Sequence, residues 1–89
     1  MKDFIRLHTN DNVVVALKNL DESAFIEVNG RNVQLKSAIG FGHKIAIKLI
    51  PAGDKILKYG LSIGSATKDI EAGEHVHVQN VKTDYSLEK

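Results

Sequence analysis

At 89 residues the chain has room for one domain with a modest core, and its 43% hydrophobic content argues against disorder. Twelve basic and eleven acidic residues leave a formal net charge of +1, which gives no electrostatic reason to expect nucleic acid or an anionic membrane. There is no cysteine, so disulfides and thiolate metal sites are excluded. The opening residues, Met1 to Asp11, are charged and broken by polar groups, unlike a secretory signal. No run approaches the roughly 20 apolar residues of a membrane helix, so a cytoplasmic setting is expected.

Short β-rich runs separated by glycine-bearing turns predict an all-β domain. The first is Asn12 to Leu17, centred on Val13, Val14 and Val15; a continuous apolar run suits a strand covered on both faces. Next comes a hairpin, Ala24 to Val28, Asn29-Gly30, Arg31 to Leu35. Asn-Gly favours a two-residue turn because both positions need positive φ. The turn sets Val28 against Arg31, Ile26 against Val33 and Ala24 against Leu35, leaving Phe25, Glu27, Asn32 and Gln34 on the other face.

After Gly40-Phe41-Gly42, a strand is expected from His43 to Ile50. It would place His43, Ile45, Ile47 and Leu49 on one face and Lys44, Ala46, Lys48 and Ile50 on the other. A short echo follows: Ile50 to Ile56 (IPAGDKI) resembles Ile70 to Val76 (IEAGEHV). Each reads as a strand end, a tight turn with glycine at positive φ, and a new strand. Between them, Lys58-Tyr59-Gly60 and Ile63 to Ala66 are short-sided and glycine-bearing. They either let backbone approach a ligand or only turn corners. The domain is expected over 1–82, with 83–89 an exposed tail or the start of a linker.

The four histidines are the most informative residues. His75 and His77 share a side of a strand at roughly 7 Å spacing, which lets two imidazoles hold one metal ion. A polar outer face on an edge strand explains the same pattern. Val76 and Val78 are expected to face the core, and no third ligand is evident. His8 precedes a polar corner, Asn10 to Asn12, where Asn and Asp side chains could cap a turn. His43, among isoleucines, reads more simply as a partly buried histidine than as a ligand. Lys44 could anchor a carboxylate or, if desolvated, act as a base. Lys58-Tyr59-Gly60 supplies a cation and a phenol suited in type to a sugar acid. There is no nucleophile elbow, phosphate loop or dinucleotide fingerprint, and few aromatics for base stacking.

The ordered set Asp11 to Leu17, Gly42-His43-Lys44-Ile45-Ala46, Lys58-Tyr59-Gly60, Ile63-Gly64-x-Ala66-Thr67 and Gly73-Glu74-His75-Val76-His77 with Asn80 resembles the N-terminal, SAF-type domain of the altronate and galactarate dehydratase family. The resemblance covers nearly the whole chain. It implies a β-clip fold of short strands and tight turns. It also implies dehydration of a sugar acid to a 2-keto-3-deoxy acid by a larger catalytic domain or subunit, with a divalent metal, iron being expected. Related sulfolactate sulfo-lyases carry the small domain as a separate subunit. On this resemblance His8, His43 and Lys44 are candidate catalytic residues, and Lys44, Lys58, Tyr59 and Asn80 candidate substrate contacts. His77 and His75 are candidate metal ligands. Relatives often read His-x-His-Asn where this chain has His77-Val78-Gln79-Asn80, and often have tryptophan at 75, which favours His77 over His75. Two other roles stay open: a pure interaction module, and a free-standing binder of small carboxylates. Self-association through exposed strand edges is also open.

Overall fold

A computed structural model describes residues 3–83, and among them every regular element is a strand. Residues 84–89 of the expected tail lie outside the described part. The elements are β1 (Phe4–Ile5), β2 (Val13–Ala16), β3 (Phe25–Val28), β4 (Arg31–Gln34), β5 (Lys44–Ala46), β6 (Lys55–Lys58), β7 (Leu61–Ala66), β8 (His75–Val76) and β9 (Val81–Lys82). They form a four-stranded sheet in the order β1-β2-β5-β8, a β3-β4 hairpin, and a three-stranded sheet β6-β7-β9, all antiparallel.

The valine run behaves as its composition demands. Val14 and Ala16 enter one core with Leu20, Ile26, Val28, Leu35, Ile39 and Ile45; Val13 enters a second with Ala46, Ile50, Ile56, Ala66, Ile70 and Val76. The four-stranded sheet therefore separates two small cores, each closed by its own hairpin. The β3-β4 hairpin has the expected register, Val28 opposite Arg31 and Ile26 opposite Val33. Asn29 and Gly30 adopt φ of 52° and 79°. The Leu35 amide donates to the Ala24 carbonyl at 3.0 Å, which extends the same alignment.

The echo is wider than two copies. Leu20 to Ile26, Ile39 to Ile45, Ile50 to Ile56 and Ile70 to Val76 share one layout, although the fourth residue takes positive φ only in the last three, at Gly42, Gly53 and Gly73. A bridge residue leads into a tight turn and then into a two-residue start of a strand. In each, the amide of the fifth residue donates to the carbonyl of the second at 3.0 Å: Ala24 to Asp21, His43 to Gly40, Asp54 to Pro51, Glu74 to Glu71. The bridge residues pair as Leu20 with Ile39 and Ile50 with Ile70. Both apolar ends of every segment are buried, the first two segments in one core and the last two in the other. Each such side chain contributes about 1.5–3 kcal/mol of transfer free energy. The seven-residue spacing here reflects a turn flanked by two inward-facing residues, not helical periodicity.

Two expectations are corrected. The strand from His43 is not eight residues long: β5 ends at Ala46, and Leu49 is exposed. After Ile47, whose amide donates to the Asn12 carbonyl, the chain leaves the sheet so that Ile50 can bridge to Ile70. Val78 does not face the core and is 79% exposed, because the chain turns immediately after Val76. Gly64 is explained by packing: a Cβ there would collide with the Lys82 carbonyl of β9.

Equivalent glycines in two of the repeated turns carry different loads. Gly53 (φ 90°) has open space where a Cβ would go, whereas a Cβ on Gly73 (φ 91°) would run into the Gln34 carbonyl. Gly73 also donates to the Ala46 carbonyl and accepts from the Lys36 amide, joining two elements. Gly53→Ala is expected to cost about 1 kcal/mol, the price of positive φ alone. Gly73→Ala should cost about 3 kcal/mol or more, because backbone must move. Urea unfolding of the two variants measures the difference; equal losses would contradict this packing.

Candidate metal and carboxylate site

β5 pairs with β8 so that Lys44 lies opposite Val76 and Ile45 opposite His75. Continuing that register by one residue puts His43 across from His77. The result is a cluster of three imidazoles. The His43 and His75 ring centroids are 4.9 Å apart, and His77 lies 5.4 Å from each. His43 Nδ1 and His75 Nε2 share a hydrogen bond at 2.9 Å. One ring nitrogen from each residue falls within 4.8 Å of the others. The third imidazole missing from the sequence reading is thus His43, which immediately precedes β5 and lies more than thirty residues away in sequence. Its position among isoleucines in sequence hid it, since Ile45 turns into the core while His43 sits where the turn ends.

Asn80 organises the cluster without joining it. Its side chain is fully buried. Its Oδ1 accepts from the His77 amide at 3.0 Å, and its Nδ2 donates to the His75 carbonyl at 2.8 Å. Both ends of the amide are therefore spent on the backbone that carries the two histidines. Expected as a substrate contact, Asn80 presents no surface to a substrate here; its geometry is that of a positioning residue. Gln79 likewise donates to the His75 carbonyl, at 3.2 Å.

Cations surround the imidazoles. Lys44 is half-buried, and burial, then the nearby Lys58 ammonium, hold it below its ordinary 10.5. His75 is held below 6.5 by burial first, then by His43, His77 and Lys44. Glu74, the nearest acid in sequence, turns away to accept from the Glu71 amide. Lys44 and His77 line an open cleft of about 280 Å³ with Ile63, Val78, Val81 and Thr83.

His8 stands apart from the three-histidine cluster. Its Nδ1 accepts from the Asn10 amide at 3.0 Å, and its ring packs over Gly60, where an added Cβ would lie 3.0 Å from the ring. Asp11, which sequence reasoning passed over as a functional residue, is buried. Its carboxylate accepts from the Tyr59 amide at 3.0 Å and the Gly60 amide at 2.7 Å. Those bonds stabilise a turn in which Tyr59, a non-glycine residue, has φ of 61°. Asn12 extends the clamp, donating to the Lys55 carbonyl and accepting from the Leu57 amide. The Lys58 ammonium lies 5.7 Å from the Tyr59 ring centroid. Lys58 therefore joins the His8–Tyr59 turn to the Lys44 side of the cluster.

An all-β domain of paired turns, bearing a histidine cluster beside lysines at the junction of two cores, defines a small site-bearing module. The chain belongs to the altronate/galactarate dehydratase SAF domain family, whose pattern matches residues 2–84. It is 44% identical over 86 residues to an altronate dehydratase of Bacillus subtilis, and 43% identical over 83 residues to one of Escherichia coli. These alignments cover 97% and 93% of this chain but 17% of each relative, so the chain spans about one sixth of their length. It is also 48% identical over 48 residues to the (2R)-sulfolactate sulfo-lyase subunit alpha of Paracoccus pantotrophus, covering 54% of this chain and 72% of that subunit. Among the described residues, no helix is long and apolar enough to cross a membrane.

The depressed affinity of His75 for its proton links stability to pH. The unfolded chain takes up a proton near 6.5, whereas the folded chain resists it to lower pH. The contribution of His75 is therefore complete above that value. It is lost progressively as pH falls toward the folded-state value, then levels off. His75→Gln is expected to flatten this part of the stability profile. Urea midpoints measured between about pH 8 and pH 5 test it; an unchanged slope in the variant would count against the assigned environment.

Proposed function

We propose that this chain is the small, metal- and substrate-facing part of a sugar-acid lyase that eliminates water from acids of the altronate or galactarate type, acting with a larger catalytic partner. The observation that carries the reading is the junction of His43, His75 and His77 with Lys44 and Lys58, in a chain that spans one sixth of the altronate dehydratases it matches. The donor set fits a divalent cation such as iron. Three neutral imidazoles suit such ions, and the 2.9 Å separation of two ring nitrogens is close to the ~3 Å expected for adjacent nitrogens on one octahedral ion. His77, His75 and His43 would hold the ion, and Asn80 would fix the backbone beneath two of them. When bound, such an ion supplies Lewis acidity toward a carboxylate or hydroxyl oxygen.

The chain's own residues divide the remaining work. Lys44 or Lys58 would pair with the substrate carboxylate. Tyr59, held outward by Asp11, offers a phenol to the polyol chain. His8, whose Nδ1 accepts a hydrogen bond, would exchange a proton through Nε2. A second reading, the small subunit of a sulfolactate sulfo-lyase, draws on the similarity that covers 72% of the Paracoccus alpha subunit. The two readings differ in the leaving group, not in the carboxylate or metal chemistry asked of this domain.

Anaerobic calorimetric titration with ferrous ion tests the metal assignment. His43→Ala and His77→Ala should each weaken binding by about tenfold or more, while His8→Ala leaves it unchanged. Asn80→Ala should weaken it by a similar factor with all three histidines still present. The catalytic assignment is tested by adding the chain to a large partner and assaying altronate, galactarate and sulfolactate. Turnover that needs both proteins supports the reading, and the acid consumed selects between its two forms. A chain that binds no metal and adds nothing to turnover refutes it.

A further inference from the structure

The cationic cluster opens onto an apolar rim. In the β6-β7 pairing Lys58 lies opposite Leu61, so their side chains share a face; the register shifts after the Leu57–Ser62 pair, leaving Ile63 unpaired at a bulge. Ile63, His77 and Val78 then line one cleft with Lys44. Leu61 is 68% exposed and Val78 79%, and the Lys58 ammonium opposite Leu61 acts on Lys44, which joins the Leu61 face to that cleft. Among the described residues, no ion pair is seen for Lys44 or Lys58 behind the rim. The groups acting on Lys44 and His75 are all basic, and the ion pairs seen among the described residues, Lys18 with Asp3 and Lys36 with Glu71, involve neither.

We propose that this face, Lys44, Lys58, Leu61, Ile63, His77 and Val78, docks a protein surface that presents carboxylates to the cations and apolar side chains to the rim. A small acid alone could neutralise the lysines but would leave Leu61 and Val78 in water. A second copy of the chain would bring like charge against like. A protein partner carrying acidic groups ringed by apolar ones satisfies both features. The inference rests on the lyase reading for the partner's identity, but its geometry stands on the charge and the rim.

The test grafts this chain in place of the matching segment of the Bacillus subtilis altronate dehydratase and compares side-chain oxidation by hydroxyl radicals in the graft and in the free chain. Oxidation of Leu61, Ile63 and Tyr59 should fall about fivefold or more in the graft, while that of Phe25, exposed on the other hairpin, stays unchanged. A second measurement mixes the free chain with the remaining segment of that enzyme. The double variant Leu61→Asp/Val78→Asp, both at exposed positions, should bind at least about tenfold more weakly than the parent, and Phe25→Asp equally well. Binding should also weaken as salt rises. Unchanged oxidation of the rim, protection at Phe25 instead, absence of binding by the parent chain, or full binding by the double variant would each overturn the proposal. Altronate turnover by the graft reads the lyase assignment separately: a protected rim without turnover keeps the docking face and removes that assignment, and turnover without protection does the reverse.

Discussion

The pairing of β5 with β8 is the contact on which the site depends. Only two residue pairs define it, Lys44 with Val76 and Ile45 with His75, and they come from segments separated by the whole β6-β7 hairpin. Two short strands would not hold this alignment alone. The surrounding bonds do: the Ala46 amide donates to the Glu74 carbonyl, the Gly73 amide donates to the Ala46 carbonyl, and Asn80 ties down the backbone beyond Val76. Beneath them Ile45 and Val76 are fully buried, one in each core. The histidine cluster is therefore an outcome of core packing. Its members are placed by residues that never reach the surface.

The repeated turn explains how so small a chain supports that arrangement. Four segments bury their first and seventh residues, and the residues between differ from one segment to the next. The fifth and sixth residues, just after the turn, are where chemistry collects. They are His43 and Lys44 in the second segment, and Glu74 and His75 in the fourth. The corresponding residues of the first segment, Ala24 and Phe25, carry none. One framework thus gives scaffold in one place and a site in another, without any change in the buried ends.

Much of the architecture is legible in the sequence because it is local. Asn29-Gly30 sets its hairpin register by turn chemistry alone, and the valine run announces a strand between two apolar layers. The readings that failed depend on distant contacts. Alternation from His43 to Ile50 suggests one long strand, but Ile50 is drawn away by its bridge to Ile70. Alternation through Val78 fails because Asn80 captures the preceding backbone and bends the chain outward. The first and second repeated turns escaped notice for a related reason: one has serine where the others have glycine, and the other has an extra glycine, so only bridge pairing exposes their kinship. The role of His43 is hidden in the same way, since neither His43 nor the His75–Val76–His77 segment carries information about the other.

The electrostatics of the site follow from what the fold omits. A domain with nearly balanced charge could have paired its lysines with neighbouring acids, and it does so at Lys18 with Asp3 and at Lys36 with Glu71. At the cluster the available acid, Glu74, is committed to its own turn, and Asp11 to the Tyr59-Gly60 turn. Both of these carboxylates shape the backbone around the site. Burial lowers the proton affinity of His75 and Lys44, and repulsion adds to it, from Lys58 on Lys44 and from His43, His77 and Lys44 on His75. Opposite charge brought near these groups would relieve that repulsion. Among the described residues, it is the two cores, through Ile45 and Val76, that hold the basic groups together without an ion-paired acid beside them.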